Sequence, residues 1–429
     1  MLLRGGRVAT LDPPALQAAD LRVDAGRIAA RAPSLAPTDG EETLDLGGAL
    51  VLPGLVNAHT HLYSALARGM PPPASPPKNF VEVLEKVWWR LDSALDAESV
   101  YLSALAGAIE AALSGTTLLF DHHASPSFIR GSLGAVKRAL DEVGLRGVLC
   151  YEVTDRNGNE GREQGLWETA EFASAVRSET TRGMIGAHAS FTLSEDTLRQ
   201  LGKAVEETGT SLHIHVAEDK ADVEHARSAH GCSLTERLLR HGLVHARAIL
   251  AHGVHLSHDE VETLHKNGAW IAHNPRSNMN NAVGTAPTAA LKRAALGSDG
   301  MDEDMLAEAR AAYLKMRDSG RSDAAPAALE MLAGGHRLAA AHFGLPFGKL
   351  DAGAPADLVV CDYRPPTPLA ADNLAGHLLF GLDRSHVRSV MVAGRFVVKE
   401  GRVVTLDADA ARVRAREAAA SLWTRMAAP

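Results

Sequence analysis

Cysteine, basic clusters and long apolar runs are all scarce in this sequence, and each shortage excludes something. Of 429 residues only three are cysteine, Cys150, Cys232 and Cys361. They lie far apart without CxxC spacing, which excludes a disulfide framework and predicts reduced thiols in a cytoplasmic protein. No stretch approaches the roughly 18 uninterrupted apolar residues of a membrane span. The N-terminal MLLRGGRVATLD has no apolar core and no cleavage site, so no export signal is expected. Lys and Arg number 44 against 52 Asp and Glu, a formal charge of −8. With no basic run to offset it, that balance argues against nucleic acid or an anionic membrane as a partner.

What is present is an ordinary globular composition, 46 % hydrophobic and 22 % charged, able to bury a large core. Residues 1–52 alternate short β-like runs with glycine turns, and residues 350–406 repeat that texture in ADLVVCD and VMVAGRFVVKEGRVV. Neither segment is long enough alone, so together they predict one small composite β-sandwich built from both chain ends. Residues 53–349 read differently. Short apolar runs, each followed by a helix-like stretch, recur about eight times: LPGLVNAH, LLFD, GVLCY, GMIGAH, SLHIHV, AILAH, AWIAH and ALGSD. That alternation predicts an α/β chain folded as a (β/α)8 TIM barrel. Residues 407–429 predict a C-terminal helix packed on the sandwich. Pro71–Pro77 cannot be regular structure and predicts a stiff loop over the barrel mouth or an inert connector.

Twenty histidines is the unusual count, and several close the apolar runs, where barrel enzymes carry their catalytic groups. His59 and His61 are two apart on a strand and so share a face. His213 and His215 also share a face, which leaves the choice between them open. His215 lies nearer the strand end, and Glu218 follows three residues later, a spacing that suits activated water and its proton acceptor. His252 ends the sixth run, and Asp299, in GSDG, ends the eighth. Three imidazoles and one carboxylate suit Zn2+ or Fe2+ and are poor for Mg2+ or Ca2+. His122 and His123 follow Asp121 at the second run, and His122 is expected to contact substrate. Asn278 is expected to satisfy backbone groups in its loop. Trp88 and Trp89 are expected in a helix core.

The segments PGLVNAHTH, HVAE, AH at 251–252, HNPRSN and SD at 298–299 resemble the amidohydrolase superfamily. Within it they are similar to the cytosine, guanine and adenosine-type aminohydrolases and the triazine chlorohydrolases. The segments LYSALARGM, WWRLD and FDHHAS further resemble the aminohydrolases called SsnA. The resemblance spans essentially the whole chain. It implies His59, His61, His215 and Asp299 as metal ligands, Glu218 as general acid/base, and His252 as the residue bonded to the activated hydroxide. It also implies His188 and Asp92 as substrate contacts. Binuclear members carry a carboxylated lysine where His188 stands, which implies one metal ion, Zn2+ first, with Fe2+ or Mn2+ as alternatives. Relatives are mostly dimers or tetramers, so a homo-oligomer is expected.

The chemistry closes on the residues themselves. A divalent cation brings the pKa of its water from ~15.7 to around 7. Glu218 takes a proton and passes it to a ring nitrogen, while His252 and Asp299 hold the hydroxide for attack on an sp2 carbon bearing an amino group. The expected activity is therefore hydrolytic deamination of a purine-, pterin- or pyrimidine-like small molecule. The alternatives are ring opening of a cyclic amide or ureide, and a non-catalytic metal-binding scaffold.

Overall fold

The structure, a computed structural model, describes residues 1–427. Eight parallel strands form the central barrel. In chain order they are β1 (Leu55–Thr60), β2 (Thr116–His123), β3 (Arg146–Val153), β4 (Ile185–Ala189), β5 (Leu212–Val216), β6 (Ile249–His252), β7 (Trp270–His273) and β8 (Ala294–Leu296). Each pairs with the next, and a bridge between Thr60 and Asp299 brings the last strand end back to the first. Each of the eight expected runs overlaps one of these strands. Among the described residues no helix is long and apolar enough to cross a membrane.

The barrel interior follows the two-residue period of a strand. Leu118 and Phe120 on β2, Val148 and Cys150 on β3, Ile249 and Ala251 on β6, and Trp270 and Ala272 on β7 form one buried cluster. Phe343 and Phe347 join it from the end of the helix Ala324–Phe343. Continuing the same alternation by two residues brings His122 and Glu152 onto that inward face at the C-terminal strand ends.

The chain ends meet in a second, nine-stranded sheet made of strands from Leu2–Pro53 and Leu358–Val403. Leu50–Pro53 is its junction, pairing with Leu2–Leu11 on one side and Leu358–Cys361 on the other. The sheet curls until its far hairpins touch. The carbonyl of Ala393 would lie 3.1 Å from a Cβ added at Gly26, and strands from both halves share one apolar core. A buried ion pair joins this sheet to the barrel: Arg146 on β3 donates to both carboxylate oxygens of Asp357, at 2.6 and 2.9 Å.

Two expectations are corrected. The helix Ala408–Ala427 packs on the helices Trp89–Ala94 and Ala97–Leu113 of the barrel, not on the sandwich. Its buried stripe, Ala411, Ala415, Ala419 and Leu422, is mostly small and lets the helices approach closely. Trp423 Nε1 fixes the register by donating to Leu66 O at 2.9 Å. The prolines do not cover the mouth either. Pro71, Pro72 and Pro73 line a groove with Trp423 and Met426 beside that helix.

Asp357→Ala leaves Arg146 buried without its partner, so urea unfolding should show a loss of about 3–5 kcal/mol. Asp351→Ala, which removes the exposed pair with Arg31, should cost less than about 1 kcal/mol. Equal losses would contradict a structural role for the buried pair.

Candidate metal and catalytic site

The site forms where the barrel closes. Asn57 on β1 and Ser298 beyond β8 bond reciprocally: Asn57 Nδ2 donates to Ser298 Oγ at 2.6 Å, and Ser298 N donates to Asn57 Oδ1 at 3.1 Å. Ser298 N and Asp299 N both also donate to His59 O at 2.9 Å. Gly297 permits this approach, since a Cβ there would sit 2.8 Å from that of His59. Asp299 Oδ1 is thereby held 3.3 Å from His59 Nε2 and 3.0 Å from His61 Nε2.

Backbone carbonyls fix which imidazole nitrogens remain free. His61 Nδ1 donates to His122 O at 2.6 Å and His215 Nδ1 donates to His188 O at 2.8 Å. Their Nε2 atoms then carry lone pairs, and these face each other at 3.1 Å. His59 Nδ1 lies 2.9 Å from His213 Nε2, while its buried Nε2 has no hydrogen-bond partner. Lone pairs converging on a carboxylate repel unless a cation sits among them. The donor set fits a divalent metal ion. Of the two histidines left open on β5, His215 is the one aimed at Asp299, and His213 backs His59.

Glu218 and His252 flank this cluster. His252 Nδ1 lies 2.9 Å from Asn278 Oδ1, which aims Nε2 at Glu218 Oε2, 3.4 Å away. Asn278 therefore orients a site imidazole, where backbone bonding was expected. Asn281 Nδ2 donates to Glu218 Oε1 at 3.2 Å, and Ser277 Oγ donates to Asp299 Oδ2. Burial pushes the Glu218 carboxyl well above its ordinary range, and the Asp299 charge adds to the push. A carboxyl so placed is suited to carry a proton. Ala217, His252 and Asp299 hold left-handed backbone, with φ of +49°, +75° and +56°. Three such residues at three strand ends concentrate conformational cost at one place.

A cavity opens from His61, His215, Glu218 and Asp299 toward an apolar wall of Phe80, Leu84, Trp88, Trp89 and Phe191. The two tryptophans thus line the mouth, where a helix-core place was expected. His188 and Asp92, the two implied substrate contacts, both line the cavity. Burial lowers His188 to about 3, and burial raises Asp92 to about 7 although Arg156 opposes it. His122 is corrected: it is fully buried and does not line the cavity. Its Nε2 donates to backbone carbonyls, Ala187 O at 3.0 Å and His213 O at 3.2 Å, and its Nδ1 lies 3.3 Å from Glu152 Oε2. Glu152, which lines the cavity, and Arg156, which backs it, are the residues missed from sequence. The period-two series Val148, Cys150, Glu152 was the available signal for the first.

The chain is similar to known proteins along most of its length. The Amidohydrolase family profile matches residues 50–397. The chain is 32 % identical over 408 residues to a 5-methylthioadenosine/S-adenosylhomocysteine deaminase of Desulforudis audaxviator, covering 90 % of this chain and 91 % of the relative. It is 32 % identical over 391 residues to a 5′-deoxyadenosine deaminase of Methanopyrus kandleri, covering 86 % of each. Among solved structures, a zinc-bound adenosine deaminase from Xanthomonas campestris superposes with a TM-score of 0.87 at 23 % identity, covering 99 % of this chain and 98 % of that one. The zinc-bound atrazine chlorohydrolase TrzN from Arthrobacter aurescens TC1 gives 0.83 at 22 %, covering 97 % and 99 %. With the profile spanning most of the chain and the relatives aligned nearly end to end, the chain belongs to the amidohydrolase family, hydrolases of carbon–nitrogen bonds other than peptide bonds.

Proposed function

We propose that this enzyme releases ammonia from an amino-substituted nitrogen heterocycle of the purine or purine-nucleoside type. The observation that carries the reading is Glu218, a carboxyl raised by burial and set 3.4 Å from His252, in the same cavity as the converging His61, His215 and Asp299. Relatives named as adenosine-type deaminases support the substrate class. His59, His61, His215 and Asp299 would hold the ion. A second cluster, His61, His122, Glu152 and His215, shares two of these residues. His61 and His215 each have one free nitrogen and cannot serve two ions with it, which supports one ion.

A divalent cation there, Zn2+ by ligand preference, supplies Lewis acidity that brings the deprotonation of water near neutral pH. Glu218 accepts that proton and delivers it to a ring nitrogen beside the reacting carbon. His252, steadied by Asn278, and Asp299, steadied by Ser277, orient the attacking oxygen. Glu218 then takes the hydroxyl proton from the tetrahedral carbon and passes it to the amino group, which leaves as ammonia as the carbonyl forms.

Ammonia release from adenosine, 5′-deoxyadenosine, methylthioadenosine and guanine tests the reading directly. Glu218→Gln should lower kcat by about 10²–10⁴ with zinc content unchanged. Ammonia release indifferent to that substitution would overturn the mechanism. Loss of ring absorbance without ammonia would overturn deamination in favour of ring opening. Chelation should lower the melting temperature, and zinc at 100 times its Kd should restore about 2.7 kcal/mol. His59→Ala should abolish the zinc-dependent increment; an undiminished increment would exclude His59 as a ligand.

A further inference from the structure

One wall of the cavity is built from hydrogen-bond acceptors. Thr192 Oγ1 donates its one proton to Ala189 O at 2.9 Å, so it can only accept from His188 Nδ1, 2.8 Å away. That fixes the His188 proton on Nδ1 and leaves Nε2 a lone pair. This lone pair stands 3.8 Å from Glu152 Oε1, with no hydrogen available between the two. Asp92 adds a further carboxylate at the same cavity wall. Arg156 reaches both carboxylates, at 3.3 Å to Asp92 Oδ2 and 3.4 Å to Glu152 Oε1. Its guanidinium also lies 4.4 Å over the Trp89 ring, so it is engaged on every side. Among the described residues no lysine or arginine lines the cavity, whereas Glu218, Asp219, Asp222 and Asp299 all do.

We infer that Glu152, with His188 locked as an acceptor by Thr192, forms a donor-selective subsite that sets substrate specificity. The substrate presents N–H, NH2 or O–H groups away from its reacting carbon and carries no phosphate or carboxylate. The inference rests on the reading above for its orientation, with the reacting carbon at the Glu218 end. The donors can belong to the base or to a sugar; the shared chemistry is donation to two facing acceptors. An anion would meet a wall of carboxylates without a free cation, and its desolvation would go uncompensated.

Calorimetric binding to the zinc-loaded Glu218→Gln enzyme, which spares the probes from turnover, tests this. One arm compares 2,6-diaminopurine with adenine, and another compares adenosine with 2′,3′-dideoxyadenosine. The donor-bearing member should bind about tenfold or more tighter in at least one arm, as hydrogen bonds to charged acceptors do. The arm that responds assigns the donors to base or sugar. Adding Glu152→Gln should shrink that ratio to within about twofold, and Thr192→Val should narrow it without touching a carboxylate. Adenosine 5′-monophosphate should bind at least about tenfold more weakly than adenosine. Ratios near one in both arms, ratios unmoved by both variants, or nucleotide binding as tight as nucleoside binding would each overturn the subsite. Preference retained by an enzyme that releases no ammonia would overturn the deaminase reading alone. Absence of binding by every probe would overturn both.

Discussion

Asn57 and Ser298 are 241 residues apart in sequence and share two hydrogen bonds at the seam of the barrel. Everything that the site does depends on that seam. It sets the His59 carbonyl against two successive amides, and the same register carries the Asp299 carboxylate to the imidazoles of β1. Glycine at 297 is the local condition for it, because any side chain would strike His59. Parallel strands give a sheet no reason to close in one register over another except what its side chains and edges impose. Here the closing contacts and the ligand-orienting contacts are the same few atoms.

A second constraint acts one layer out. Each imidazole of the cluster is fixed at its far nitrogen: His61 and His215 by backbone carbonyls, His59 by His213, His252 by Asn278. Fixing the far nitrogen decides what the near one can do. It makes lone pairs face inward beside Asp299, and at His188 it makes an acceptor face the cavity. Burial then separates the carboxyls by task. Glu218 is raised toward the proton-bearing form, while Glu152 is held ionised against its burial, with the Arg156 guanidinium 3.4 Å from its Oε1. Two carboxyls in one cavity are thus set to opposite work by their surroundings.

The barrel was legible in the sequence because each strand announced itself as a short apolar run ending in a polar group. So was the gathering of His59, His61, Glu218, His252 and Asp299 at one end of the barrel, since they lie at or just past those run ends. Three kinds of feature were not. The choice of His215 over His213 needs the positions of carbonyls on neighbouring strands, which strand periodicity alone does not supply. His122 shares its face with the site residues, yet depth along the strand buries it among carbonyls. Arg156 and Asn278 act from connecting segments, where sequence carries no register. The C-terminal helix misled for a related reason: an alanine-rich stripe says that a helix packs closely, not on which neighbour.

The central claim is that the convergent lone pairs of His59, His61 and His215, with Asp299, hold a single ion. Anomalous diffraction at the zinc edge from zinc-loaded crystals measures that position directly. The account predicts one peak per chain within ligand distance of the three Nε2 atoms and Asp299. A peak centred on His122 and Glu152, or two peaks, would contradict it.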